Sequence, residues 1–528
     1  MTTLRANPLI VAVVAAVLAG ACGSEPGPSA AAATSPTVVP VPPAPTAGPI
    51  VVMVTPAPEP TATPAPTPSA TPSAQSSPGT AKAQSFTGEG DIRDVLFAPD
   101  GRIVVVESDW ALNRSRVVSL DAYGRVLPGW PWSAGDTGNP IAGAALGPEG
   151  SVYVAVRGEQ AEPHIWSWKL HRLDAGGLEL PGFPVALPDV PFCSLAVAGN
   201  GSAYALCQEE LESTGSSTTS VLAVRPDGST PEGWPVKLDG AGEITGFRPD
   251  GALVLTVRKD SRASVTVLRE DGTPATGWPR VIPNGAESVA VDRQGRIHVT
   301  NHAWTEGQCG PATRTTYTVF AASGKRVHGW PVTVRGWASE PLIADDGSVT
   351  IATDTNTVVR YGRKGNVLTS WPVKGVPVTE ACYDGSSPVS AGKDGFVVSG
   401  EGRVTLLRLA GRIARGWPVR SRYALADSCH ECTPGPAGPL DPAIGRKGIW
   451  VAAYRGDRPR VVGIARDGSM PKGWQHAVGK KGDGIHWIRT APDGRVWMLL
   501  DRWVDAGEDD GVGIGILVPV AEDQPLVR

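Results

Sequence analysis

The chain has 528 residues, a formal net charge of −4 and 19% charged residues, so it carries no basic footprint of the kind nucleic-acid binding demands. Beyond residue 85 roughly 440 residues remain, which length alone would divide into two or three domains, and none of their apolar runs is long enough to cross a membrane.

Read from the N-terminus, Arg5 is followed by an apolar run from Leu9 to Gly20, which has the length of a signal-peptide core and is short for a membrane span. The run ends in Leu18-Ala19-Gly20-Ala21-Cys22, which resembles the bacterial lipobox, with Ala19 where that pattern prefers Leu. The resemblance implies a lipoprotein signal peptide over 1–21, a diacylglycerol on Cys22 and a mature chain that is exported and held to a membrane on its extracytoplasmic side. Residues 22–85 are mostly Pro, Ala, Thr and Ser, with Glu25, Glu59 and Lys82 as the only charges. Such a segment cannot bury enough apolar surface to fold and reads as a tether. At about 3.1 Å per residue its reach is at most about 190 Å.

From 86 to 528 two signatures alternate. The first is a Gly-containing turn followed by an apolar strand, as in Ala98-Pro99-Asp100-Gly101, and it recurs at Gly150, Gly201, Gly251, Gly295, Gly347, Gly395, Gly448 and Gly494. The second is an apolar strand, a Gly turn and then Gly-Trp-Pro or a close variant, marked by Trp130, Phe183, Trp234, Trp278, Trp330, Trp371, Trp417 and Trp474. The markers lie 41 to 57 residues apart, the size of a four-stranded propeller blade. Each unit reads as strands A, B, C and D. The aromatic supplies an apolar face to the neighbouring blade, a structural role, and the Pro is expected in the outermost strand, where a missing N–H is tolerated. Eight units are complete. A ninth, from Asp483 to Val520, lacks the aromatic strand, and Ala81–Gly88 is placed to supply it, giving an expected all-β fold, a single β-propeller of eight to nine blades, with nine favoured.

The run Ala223-Val224-Arg225-Pro226-Asp227-Gly228 leading to Gly233-Trp234 resembles the tryptophan-docking repeat of the quinoprotein-type (pyrroloquinoline-quinone-like, WD40-like) propeller superfamily. The likeness implies architecture rather than activity. The sequence lacks the cysteine pair and cation ligands that the quinone enzymes of that group use, so no quinone is expected.

Six cysteines remain after Cys22, an even number that reads as disulfides in an exported chain. Cys193 and Cys207 fall on consecutive strands and face each other across a hairpin. Cys309, Cys382, Cys429 and Cys432 sit in the loops 302–316, 380–388 and 427–441, and their pairing stays open. The Cys429-His430-Glu431-Cys432 spacing also suits zinc, but an oxidising compartment favours disulfides. Asp94, Glu243, Glu287, Glu340 and Asp441 each precede their blade's turn glycine by seven or eight residues. Together with His486 they are candidates for a ring at the channel mouth, and calcium or a basic segment is what such a ring attracts; the preferred reading is that they are solvated loop carboxylates with unrelated orientations. His302 and His430 lie toward the same face. The acidic stretch 505–511 lacks EF-hand spacing and reads as a B–C loop.

Function is expected on the face carrying the B–C and D–A connections. The leading expectation is a monomeric binding or scaffolding module for a protein, glycan or cell-wall ligand. The alternative is a cation-assisted lyase or hydrolase with its site at the channel mouth.

Overall fold

The nine turn glycines each open a buried hairpin, and the chain stacks those hairpins in order around a ring. The computed structural model describes residues 83–520 except 110–113, 135–140, 163–164, 212–215, 260–261, 284, 287, 305–311, 379–388, 393, 426–441 and 505–511. Every regular element among them is a strand. Nine sheets follow in chain order: blades 1 to 8 span 91–133, 141–190, 192–239, 241–282, 288–335, 342–374, 389–420 and 424–477, and blade 9 combines 484–520 with 86–87. The protein is therefore a nine-bladed β-propeller.

Blade 1 shows the plan, with strand A Asp91–Phe97, B Ile103–Asp109, C Arg114–Leu120 and D Trp132–Ser133, all antiparallel. Its middle strand reads Ile103-Val104-Val105-Val106 with no polar alternation because both faces of the sheet are covered, and all four residues are at most 1% exposed. The apolar clusters lie between blades rather than inside them. Ile92, Ile103 and Val118 of blade 1 pack on Trp487, Trp497 and Leu517 of blade 9, and the other eight seams are packed in the same way, with one continuous cluster running through both seams of blade 3. The ring is thus closed by packing. It is also closed by hydrogen bonding: Phe86–Thr87 pairs antiparallel with Leu517 and Ile516, so the N-terminal segment is the outer strand of the last blade, as its place in the sequence suggested.

The marker aromatics differ in detail from expectation. In blades 1 to 7 the aromatic and its Pro precede the outer strand, as with Trp130-Pro131 before Trp132–Ser133, instead of lying within it. All seven aromatic–Pro bonds, from Trp130-Pro131 to Trp417-Pro418, are cis. Placed in this turn, the indole reaches the next blade. The Nε1–H groups of Trp130, Trp234, Trp278, Trp330 and Trp417 donate to the carbonyls of Ala175, Glu270, Ala322, Arg363 and Arg466 at 2.8 to 3.3 Å, in every case the residue two before the C–D turn glycine of the following blade. Phe183 has no N–H to give, Trp371 meets Phe396 of the next blade edge-on at 6.1 Å between ring centroids, and Trp474 turns back to stack on Trp450 of its own blade at 5.0 Å.

The turn before the aromatic must approach the neighbouring backbone closely. A side chain on Gly329 (φ 88°) would put its Cβ 1.8 Å from the Lys364 carbonyl oxygen, whereas one on Gly251 (φ 83°) would meet nothing within 4 Å. Gly251→Ala is expected to cost about 1–2 kcal/mol, the left-handed backbone penalty alone. Gly329→Ala is expected to cost several kcal/mol more, because the seam itself must open. Urea unfolding of the two variants beside the parent checks the difference, and equal losses would remove the close approach as the reason for this glycine.

Candidate functional site

The two faces of the ring are built differently. The A–B connections are five residues long in seven blades and close with repeated turn hydrogen bonds, as in Gly101 N–H to the Ala98 carbonyl. The C–D turns repeat the same bond, as in Gly272 N–H to the Arg269 carbonyl. On the opposite face the B–C and D–A connections run from one residue (191 and 240) to fourteen (375–388). Strand pairing extends into one predicted loop: Ile297–Trp304 and Ala312–Phe320 pair through most of 302–316 and leave only 305–311 outside them. In blade 8 two short strands, Ala424–Leu425 and Ala443–Ile444, share the inner position, and both pair with Gly448–Arg455.

On this variable face the predicted carboxylates separate into two groups. Asp94, on a bulge of blade 1's inner strand, accepts the Val95 N–H at 2.8 Å. Burial raises its pKa, opposed by that bond and by the charge of Arg489. His486, on the inner strand of blade 9, places Nδ1 3.3 Å from Asp501 Oδ2. The Asp501 bond raises the His486 pKa against the opposing cost of burial, and the charges of Asp501 and Asp91 add to it. Across the ring, Glu340 lies just ahead of the inner strand of blade 6, and burial followed by the charge of Glu243 raises its pKa. Glu243, on the inner strand of blade 4, is 4.0 Å from Arg258. The structure thus couples Glu243 with Glu340, and His486 with Asp501 and Asp91. Among the described residues no three His, Cys, Asp or Glu side chains converge so as to hold a metal ion. Glu287, Asp441, His430 and the cysteines Cys22, Cys309, Cys382, Cys429 and Cys432 lie outside the described residues.

Cys193 and Cys207 are directly opposed on strands A and B of blade 3, with Cα atoms 4.1 Å apart, and are joined as a disulfide, buried in the seam.

Three polar features escape a reading by sequence. Buried Glu107 bonds Arg116, which also reaches Glu89 at 2.7 Å, fastening the connection from the closing strand to blade 1. In blade 5, buried His298 bridges Asp292 Oδ2 (3.0 Å) and the Tyr317 hydroxyl (2.8 Å). On the short-turn face, arginines clasp successive blades: Arg102 donates to the Gly150 carbonyl at 2.5 Å, Arg248 to Ala322, Arg296 to Gly347, Arg360 to Leu409, Arg446 to Asp493 and Arg495 to Ala122. The only sequence signal for these clasps is an Arg recurring near the turns.

His302, at the end of blade 5's strand B, is 7% exposed and sits edge-on to Trp337 of the next blade. Burial lowers its pKa from 6.5 to about 4. As pH falls from about 6.5 to about 4 the unfolded chain takes up a proton that the fold refuses, so this residue weakens the fold across that window and adds no slope above it. The full effect is at most about 3 kcal/mol. His302→Gln is expected to flatten the fall in urea midpoint between pH 7 and pH 4.5 relative to the parent; an unchanged slope would assign the acid sensitivity elsewhere.

No protein-family model matches the chain, and no curated protein matches it in sequence. Among solved structures it is similar to BamB from Moraxella catarrhalis, at 12% identity over 83% of this chain and 99% of that one, with a TM-score of 0.39. It is similar to a streptogramin B lyase, at 14% identity over 72% and 93%, TM-score 0.31. It is also similar to the C-terminal WD40 domain of Sif2, at 12% identity over 84% and 100%, TM-score 0.35. At these identities and scores none lends this chain an activity or a partner.

Proposed function

We propose that the chain is an exported binding or scaffolding propeller, lipid-anchored through Cys22, that holds a protein, glycan or cell-wall ligand on its variable face. The observation that supports this most is the difference between the two faces. Turns of near-constant length, committed to hydrogen bonds between blades, leave little freedom to recognise anything. The B–C and D–A connections vary from blade to blade on a scaffold that fixes their ends, the arrangement in which loops carry recognition. The charges along the rim of that face, including Asp239 with Lys259 and Glu243 with Arg258, are exposed and of both signs, which suits a polar, specific contact.

Two measurements test the reading. A photo-crosslinking residue at Asp239 or Glu243, on the variable face, is expected to give discrete adducts in cells, whereas one at Asp227 or Asp271, on the short turns, gives none. Equal labelling from both faces would refute the assignment. Cys22→Ala is expected to move the chain from the membrane to the soluble fraction and to abolish labelling by a radioactive fatty acid. Retention of the label would overturn the anchor.

A further inference from the structure

Where blades 7 and 8 meet, a cleft of about 440 Å³ is lined by Arg422, Met470, Pro471, Lys472, Gly473 and Gln475. No carboxylate lines it, although the chain as a whole is acidic. Arg422 belongs to the connection between the blades, and Met470–Gly473 to the approach to the outer strand of blade 8, Gln475–Ala477. The cleft coincides with the one marker aromatic that departs from the pattern, since Trp474 turns onto Trp450 and no Pro follows it.

Positive charge is gathered here against electrostatic cost. The guanidinium groups of Arg422 and Arg460 lie 5.0 and 4.7 Å from the centre of the same ring, that of Tyr423. Arg403 and Arg420 are directly opposite one another in the pairing of the outer segment of blade 7, a cross-strand position where like charges repel. Among the described residues, none of Arg403, Arg420, Arg422, Arg460 and Lys472 lies within 4.0 Å of a carboxylate. Two buried polar atoms beside the cleft also lack partners among the described residues: Arg460 Nε, a donor, and the Gln475 side-chain oxygen, an acceptor. Met470, 37% exposed, offers an apolar surface next to these charges.

Stacked guanidiniums present planar forks that suit an oxyanion, the lysine adds a point charge, and the unpartnered acceptor suits a hydroxyl close to that anion. We infer that this cleft, bordered by the 421–423 connection of the variable face and by the approach to the outer strand of blade 8, binds a phosphate ester bearing a neighbouring hydroxyl, whatever ligand the rest of that face holds. Such an ester occurs in a soluble or polymeric glycerol phosphate and in the headgroup of an anionic glycerol lipid.

The test uses the full chain. Calorimetric titration with glycerol 3-phosphate at low salt and flotation with phosphatidylglycerol-containing vesicles, against pure phosphatidylcholine vesicles, separate the two sources. Binding to at least one phosphate probe is expected, weakened about tenfold or more in the Arg422→Gln/Lys472→Gln double variant, as loss of charge-assisted bonds dictates. Both residues are exposed, so the variant should fold; circular dichroism verifies this. Arg412→Gln, an exposed change elsewhere in blade 7, should leave binding intact. Flotation alone identifies a lipid headgroup, and glycerol 3-phosphate binding alone a soluble or polymeric ester. Binding to neither probe, or equal binding by parent and double variant, overturns the site.

Discussion

A four-stranded sheet whose two faces are both apolar has no way to bury either by itself, and the architecture of this protein follows from that constraint. Val104 and Val106 face one seam while Ile103 and Val105 face the other, so blade 1 requires a neighbour on each side. Every blade repeats the requirement, and an open row of blades would leave two apolar faces in water. Closing the row into a ring removes both. Because the last repeat has no outer strand after Val520 among the described residues, the N-terminal residues Phe86–Thr87 fill that place, and the two ends of the folded region meet in one sheet.

Burial sets the blades side by side, and polar contacts fix their register. The tryptophan Nε1–H donates to a carbonyl of the next blade's turn, and an arginine on the same face reaches another such carbonyl. Both use backbone acceptors, so the contact depends on where the turn lies and hardly at all on its side chains. That explains how the turn sequences vary, from Asp174-Ala175-Gly176-Gly177 to Arg269-Glu270-Asp271-Gly272, while the geometry repeats. The glycines are constrained more tightly, because the preceding blade's backbone occupies the space a Cβ would need.

This division of labour separates the faces. One is committed to holding the ring together, and the other is left for connections of unequal length. The acid groups there are spread over different blades, so that Glu340 senses Glu243 from two blades away while His486 answers to Asp501 in its own sheet.

The sequence by itself determined the repeat, the strand order within each blade, the closing strand, the structural role of the aromatics and the Cys193–Cys207 pairing. Each rests on local chemistry: a positive-φ glycine, an apolar middle strand, a marker aromatic, two cysteines in register across one hairpin. Only the tertiary structure decided which turn accepts each tryptophan, which arginine clasps which blade, that Glu107 is buried, and that cationic side chains gather around Tyr423. For the tryptophans and the arginine clasps the partner lies tens of residues away, or, for Arg495 and Ala122, near the other end of the folded region. Nothing in the spacing of an arginine tells which carbonyl the closed ring will bring to it.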